Sequence, residues 1–153
     1  MPVFPSVEWL QQVAEITSGD ERYRKYGRCD AIVGLRVGDQ LFSLTFDVFD
    51  IKDVHEATEE ELRDADFVLE MPIEKWEELI INSAEHGKAD REHTLNSLDL
   101  RLPDGLARNT MGDGYRLDKF FRFNQSLQCF FDSSSNVETT FAGLERRGAV
   151  AGS

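Results

Sequence analysis

The sequence predicts an α+β domain: a five-stranded, mainly antiparallel sheet with helices packed on one face, enclosing an apolar cavity. Three observations predict it. Residues 41–48 alternate, with Phe42, Leu44, Phe46 and Val48 on one side and Ser43, Thr45 and Asp47 on the other. One dry and one wet face is the pattern of an antiparallel sheet exposed to water on one side. Residues 6–17 and 72–86 instead repeat apolar side chains every three or four positions, the period of a helix with one buried stripe. The elements run helix, three-strand meander, strand, helix, strand, helix, and that order is α+β.

Each element has its own signals. Ser6 is placed to cap a helix over 6–17, with Glu8 in its first turn and Trp9, Leu10, Val13 and Ile16 on its buried stripe. A short helix from Asp20 to Tyr26 follows, stopped by Gly27. Ala31, Val33, Leu35 and Val37 define a strand over 29–37, Gly38-Asp39 a turn, 41–48 the second strand and 49–55 a third. The acidic stretch Thr58 to Asp64 reads as a loop or helical turn, and Phe67-Val68-Leu69 as a short fourth strand. Pro72 suits the first position of a helix whose stripe is Ile73, Trp76, Leu79 and Ile80 and which Gly87 ends. A short helix near 90–96, a fifth strand Leu98-Asp99-Leu100-Arg101-Leu102 and a loop closed by Gly112 and Gly114 come next. A helix over 115–132 completes a single domain of residues 1–132. Residues 133–153, Ser-rich and then Gly/Ala-rich, read as a mobile tail in which Phe141 and Leu144 have the means to dock.

Composition narrows the function. The chain of 153 residues carries 17 Lys plus Arg against 29 Asp plus Glu, a formal charge of −12. Such a field repels phosphate backbones and anionic headgroups, which argues against nucleic-acid binding. No apolar run approaches the roughly 20 residues that cross a bilayer, so stable membrane insertion is not expected. Cys29 and Cys129 are a hundred positions apart and make neither a metal pair nor a disulfide framework. With no signal-like segment in Met1 to Ser6, the expectation is a reduced, cytoplasmic protein.

Chemistry-bearing patterns are sparse. Asp47, Asp50, Asp53 and His55 supply the oxygens a hard cation wants, but strand geometry separates them and the spacing of a calcium loop is missing. They read as a solvated strand edge, His86 and His93 as surface or structural residues, and Gly112-Asp113-Gly114 as a turn rather than half of a phosphate-binding fingerprint. No catalytic residue, metal or cofactor is expected.

The unusual feature is aromatic. The chain has eleven phenylalanines, and Phe120, Phe121, Phe123, Phe130 and Phe131 fall in the last helix. With Leu117 and Leu127 they cover more than the roughly 100° stripe a helix needs to pack on a sheet. The surplus must meet a second element, a partner chain or a ligand.

The run Phe42-Ser43-Leu44-Thr45-Phe46-Asp47, the acidic loop, Ala65-Asp66-Phe67-Val68-Leu69 and then Trp76 resembles the sterol carrier protein type-two domain. Bacterial members of that family carry such a strand after an acidic loop, followed by a helix bearing a Trp. The opening helix with Trp9-Leu10 is also similar. The likeness extends over residues 6–102 and, loosely, 115–132. Thr94-Leu95-Asn96-Ser97-Leu98 and the stretch Pro103 to Gly114 depart from the family pattern. The resemblance implies a five-stranded sheet with helices on one face and an apolar tunnel for sterols, fatty acids or their coenzyme A esters.

The leading expectation is therefore non-catalytic binding or transfer of an apolar ligand, lined by Phe46, Phe67, Trp76, Phe120, Phe121, Phe123, Leu127 and Phe131. Arg116 or Arg122 would hold a carboxylate headgroup. The alternative is a small isomerase- or dehydratase-like enzyme acting on an apolar or steroid-like substrate, which needs an acid or base among His55, Asp47 and Tyr115. A third reading covers the surplus rings by homodimerisation through the 117–131 helix.

Overall fold

The computed structural model describes residues 2–25, 29–109 and 111–141. Ser6 accepts a hydrogen bond from Trp9 N at 3.0 Å and starts helix α1, Val7–Ser18, which buries Trp9, Leu10, Val13, Ala14 and Thr17. Helix α2, Glu21–Lys25, contributes Tyr23 to the core. Tyr26 and Gly27, the expected end of that helix, lie outside the described residues.

Strands β2 (Cys29–Val37), β3 (Gln40–Val48) and β4 (Asp50–Glu56) form the expected antiparallel meander. (Strand β1 is the short segment Val3–Phe4.) The turn between β2 and β3 uses Gly38 at φ 60°, a conformation that favours glycine. Strand β5, Phe67–Met71, pairs in parallel with β2, and strand β6, Ala107–Arg108, pairs antiparallel with β5. The sheet order is β4-β3-β2-β5-β6, with one parallel pairing and three antiparallel.

Phe42, Leu44, Phe46, Ala31, Val33, Leu35, Phe67 and Leu69 point from this sheet into the main core. Helix α3, Glu59–Asp64, sits on the other face, where Leu62 is buried over Gly34 and Val68. Its start is a capping box: Thr58 accepts from Glu61 N while the Glu61 side chain accepts from Thr58 N. The acidic stretch 58–64 is therefore a helix. Helix α4, Ile73–His86, buries Trp76, Leu79 and Ile80 and ends at Gly87 with φ 77°.

Three expectations are corrected. Leu98 to Leu102 is not the fifth strand but belongs largely to helix α5, Leu95–Arg101, and β6 takes the strand's place. Helical spacing buries Leu95 and Leu98 and leaves Leu100 79% exposed, and Thr94 caps the helix by accepting from Ser97 N. The single helix over 115–132 is two, α6 (Gly114–Arg122) and α7 (Asn124–Asp132), broken at Phe123 with φ −105° and ψ 19°. The break re-aims the second half and so absorbs part of the aromatic surplus. Finally, the start of the tail is part of the fold. Ser133–Asn136 is a 3-10 turn with Ser133 and Ser134 buried, and strand β7, Thr140–Phe141, pairs in parallel with β1. The Trp9 indole N–H donates to Thr139 Oγ1 at 2.9 Å. Leu144 lies outside the described residues. Among those described, no helix is long and apolar enough to cross a membrane.

Candidate ligand site between the sheet and the helices

Strand alternation sends Phe46 and Phe67 off the same face of the sheet, and α4, α6 and α7 bring rings down onto them. Phe46 meets Phe130 edge-to-face at 5.8 Å, and Phe67 meets Phe120 at the same separation. Trp76 lies 5.7 Å from Phe131, which in turn meets Phe130 at 5.1 Å. These are ordinary aromatic pair distances, each contributing roughly 0.5–1.5 kcal/mol beyond area burial. The Trp76 indole N–H donates to Arg36 O at 3.1 Å, so the buried ring has its polar atom satisfied.

Of the eight lining residues expected from sequence, Phe46, Phe67, Trp76, Phe120, Leu127 and Phe131 are buried together in this layer. In this structure their own rings occupy the space between sheet and helices. Phe121 is 52% exposed, although its ring still touches Phe120 at 5.0 Å. Phe123 sits half-buried at the helix break, under the Arg122 guanidinium at 5.8 Å. Phe130 belongs to the layer and was not among the expected lining residues. Its i, i+7 spacing from Phe123 suggests a shared face, but the break at Phe123 separates the two.

Helix α6 covers one end of the layer, and its hold is thin. Asp113 caps it by accepting from Arg116 N, and Phe120 is its one buried side chain. Outside that contact, Asp66 draws the helix in: Lys119 Nζ lies 3.3 Å and Arg116 Nε 3.9 Å from Asp66 Oδ1. Asp66 is itself fixed, because its Oδ2 accepts from Ile32 N at 2.8 Å. Of the two arginines suggested for a headgroup, Arg116 thus stands beside Asp66 at the covered end. Arg122 pairs with Asp118 at 3.2 Å on the outside.

The three candidate acid–base residues do not meet in a pocket. Asp47, half-exposed near the end of β3, is paired with Lys52 at 2.8 Å, and Tyr115 is 73% exposed. His55 donates from Nδ1 to Asp53 O at 2.7 Å and from Nε2 to Glu61 Oε2 at 2.5 Å. The hydrogen bond to Glu61, and then that to Asp53 O, raise the His55 pKa above its ordinary value. With both ring nitrogens engaged, His55 offers no free lone pair as a base. Burial pushes the Cys29 thiol up to about 12 and the Cys129 thiol to about 11, so both stay protonated. Among the described residues no group of three His, Cys, Asp or Glu side chains is arranged to hold a metal ion.

Comparison with protein-family models, with curated proteins and with solved structures finds no match for this chain.

Proposed function

We propose that this protein binds an apolar small molecule, of the fatty-acid or sterol class, within the aromatic layer, and that α6 is the cover that lifts to admit it. The observation that carries the reading is the light attachment of α6: one fully buried ring, Phe120, and the partly buried Leu117, with Phe121 and Tyr115 left in water. Burying one Phe contributes roughly 1.5–3 kcal/mol, and the pairs from the partly exposed Lys119 and Arg116 to the buried Asp66 carboxylate add about 1 kcal/mol each. A ligand with about ten buried methylene groups gains roughly 8 kcal/mol at about 0.8 per group, enough to offset that displacement. Lifting α6 uncovers Phe67 and frees Arg116 and Lys119 from Asp66, leaving two cations to receive a carboxylate headgroup. The resemblance to the sterol carrier type-two domain points the same way.

The test is a titration of dodecanoate into the Trp9→Phe variant, in which Trp76 alone fluoresces. The reading expects saturable change in Trp76 emission together with amide shifts in α6. Absence of both, in protein freed of co-purified lipid, refutes it.

A further inference from the structure

The opposite face of the sheet carries a separate feature. Ile32 lies on β2, the central strand, yet it is 43% exposed on the face away from the aromatic layer. It forms the apolar floor of an open groove of about 550 Å³ together with Val54, which also packs partly against the main core, between the hydroxyls of Ser43 and Thr45, the His55 ring and the carboxylates of Glu61 and Asp64. A bulge in β4, where the β3–β4 register shifts between Ser43 and Thr45, brings Asp53 to the rim. One step along the strands, Asp30 and Asp47 stand directly opposite each other. Like charges in that position destabilise a sheet.

Two of these acids already have cations, Asp47 in Lys52 and Glu61 in His55, while Arg116 reaches the backbone oxygen of Asp64 rather than its carboxylate, so the negative side of the groove is carried by Asp53 and Asp64. The chain as a whole carries a net charge of −12, the groove's own carboxylates included. An apolar floor with an acidic surround complements a cationic segment carrying a bulky aliphatic side chain, and the field would steer it in. The groove lies open to solvent rather than enclosed, which suits a surface segment rather than an engulfed small molecule.

We propose that this open sheet face docks a partner protein through a short basic segment in which aliphatic side chains are flanked by Lys or Arg. The aliphatic groups cover Ile32 and Val54, and the cations meet Asp53 and Asp64 at the groove and Asp30 beyond it.

The experiment is a two-dimensional amide NMR titration of the whole chain with the hexapeptide Lys-Lys-Leu-Leu-Lys-Lys. Two controls accompany it: Lys-Lys-Ser-Ser-Lys-Lys, and hexylammonium chloride at equal total charge. The proposal expects shifts confined to amides around Ile32, Thr45, Val54 and Asp64, with affinity falling on the order of tenfold between about 20 mM and about 500 mM NaCl. The serine peptide should bind on the order of tenfold more weakly, and Ile32→Ser should lose the same factor. Because Ile32 is exposed, that variant should keep the wild-type spectrum elsewhere; Asp64→Asn gives a second, milder loss. Equal shifts along the acidic α4 surface (Glu74, Glu78 and Glu85), or equal binding of the serine peptide, overturn the proposal in favour of diffuse charge attraction. Equal affinity for hexylammonium at the same amides overturns it in favour of a small-amine site. No shift at all also overturns it.

Discussion

Replacing Phe120 by Ala separates a liftable cover from an integral core helix. Phe120 is fully buried, against Phe67 at 5.8 Å. In a rigid core the truncation costs about 3–5 kcal/mol, and the whole molecule is destabilised by that amount. If α6 opens on its own, the loss is limited by the opening free energy. From the Phe120 ring, the partly buried Leu117 and the ion pairs to the buried Asp66, that energy is of the order of 3–5 kcal/mol. The variant then keeps most of its global stability and spends far more time with α6 open. A loss of about 2 kcal/mol of local stability corresponds to roughly a thirtyfold rise in the open population, since about 1.4 kcal/mol is tenfold. Native-state hydrogen exchange reads this directly. Amides of α6 should exchange about thirtyfold faster in Phe120→Ala, while those of β2 and β3 change little. Phe130→Ala is the comparison: its ring is held between Phe46 and Phe131, and it should destabilise all amides together by about 3–5 kcal/mol. If Phe120→Ala instead lowers protection uniformly, as Phe130→Ala does, α6 is not a separate opening unit and the reasoning fails.

Other outcomes follow from single contacts. Trp76→Ala should lower the melting temperature strongly, losing about 3–5 kcal/mol for a fully buried ring, whereas Trp76→Phe keeps the fold and loses about 1–3 kcal/mol because Arg36 O is left without its donor. Equal melting temperatures for the two variants would contradict this. His55, its pKa raised by Glu61, stabilises the β4–α3 contact fully below its ordinary value of 6.5 and loses that contribution as pH rises through the raised value. An NMR titration should place its midpoint above 6.5 and Glu61→Gln should bring it down; a midpoint insensitive to Glu61→Gln refutes the assignment. Gly34→Ala would set a Cβ 2.5 Å from Leu62 Cδ2 and 3.1 Å from Val68 Cγ2. It should cost about 1–3 kcal/mol in chemical denaturation, partly recovered in the Gly34→Ala, Leu62→Ala double variant. Additive losses would show that the two side chains do not compete.

The sheet was readable where one face is dry. The alternation in 29–37 and 41–48 matches β2 and β3 to within a residue, and Pro72 and Gly87 bracket α4 as their backbone chemistry requires. Residues 98–102 invite a strand because Leu98, Leu100 and Leu102 fit period two, whereas the cap at Thr94 and the burial of Leu95 and Leu98 make a helix. The parallel pairing of β5 with β2 left no local mark, since a five-residue buried run fits either direction. The break at Phe123 carries neither Gly nor Pro, and so the surplus of aromatic arc along 115–132 pointed to an unmet partner. In part that surplus reflects two helices with differently aimed faces. Six of the eight expected lining residues do converge, because they are the large apolar side chains on the dry faces of β3, β5, α4, α6 and α7. Phe121 could not be separated from Phe120 by pattern alone, since adjacent residues on a helix differ by only about 100°. The groove over Ile32 leaves no mark in the sequence, because Ile32 stands in the apolar run Ala31-Ile32-Val33 and reads as one more strand residue.

The central claim is that the aromatic layer accepts an apolar ligand, and native mass spectrometry of the full chain tests it most directly. Protein stripped of lipid and then mixed with dodecanoate should show a one-to-one adduct, and Phe67→Asp, which places a charge in the layer, should abolish it. An adduct that survives Phe67→Asp in a variant of native-like amide spectrum locates the ligand elsewhere, and a wild-type spectrum with no adduct at saturating dodecanoate contradicts the account outright.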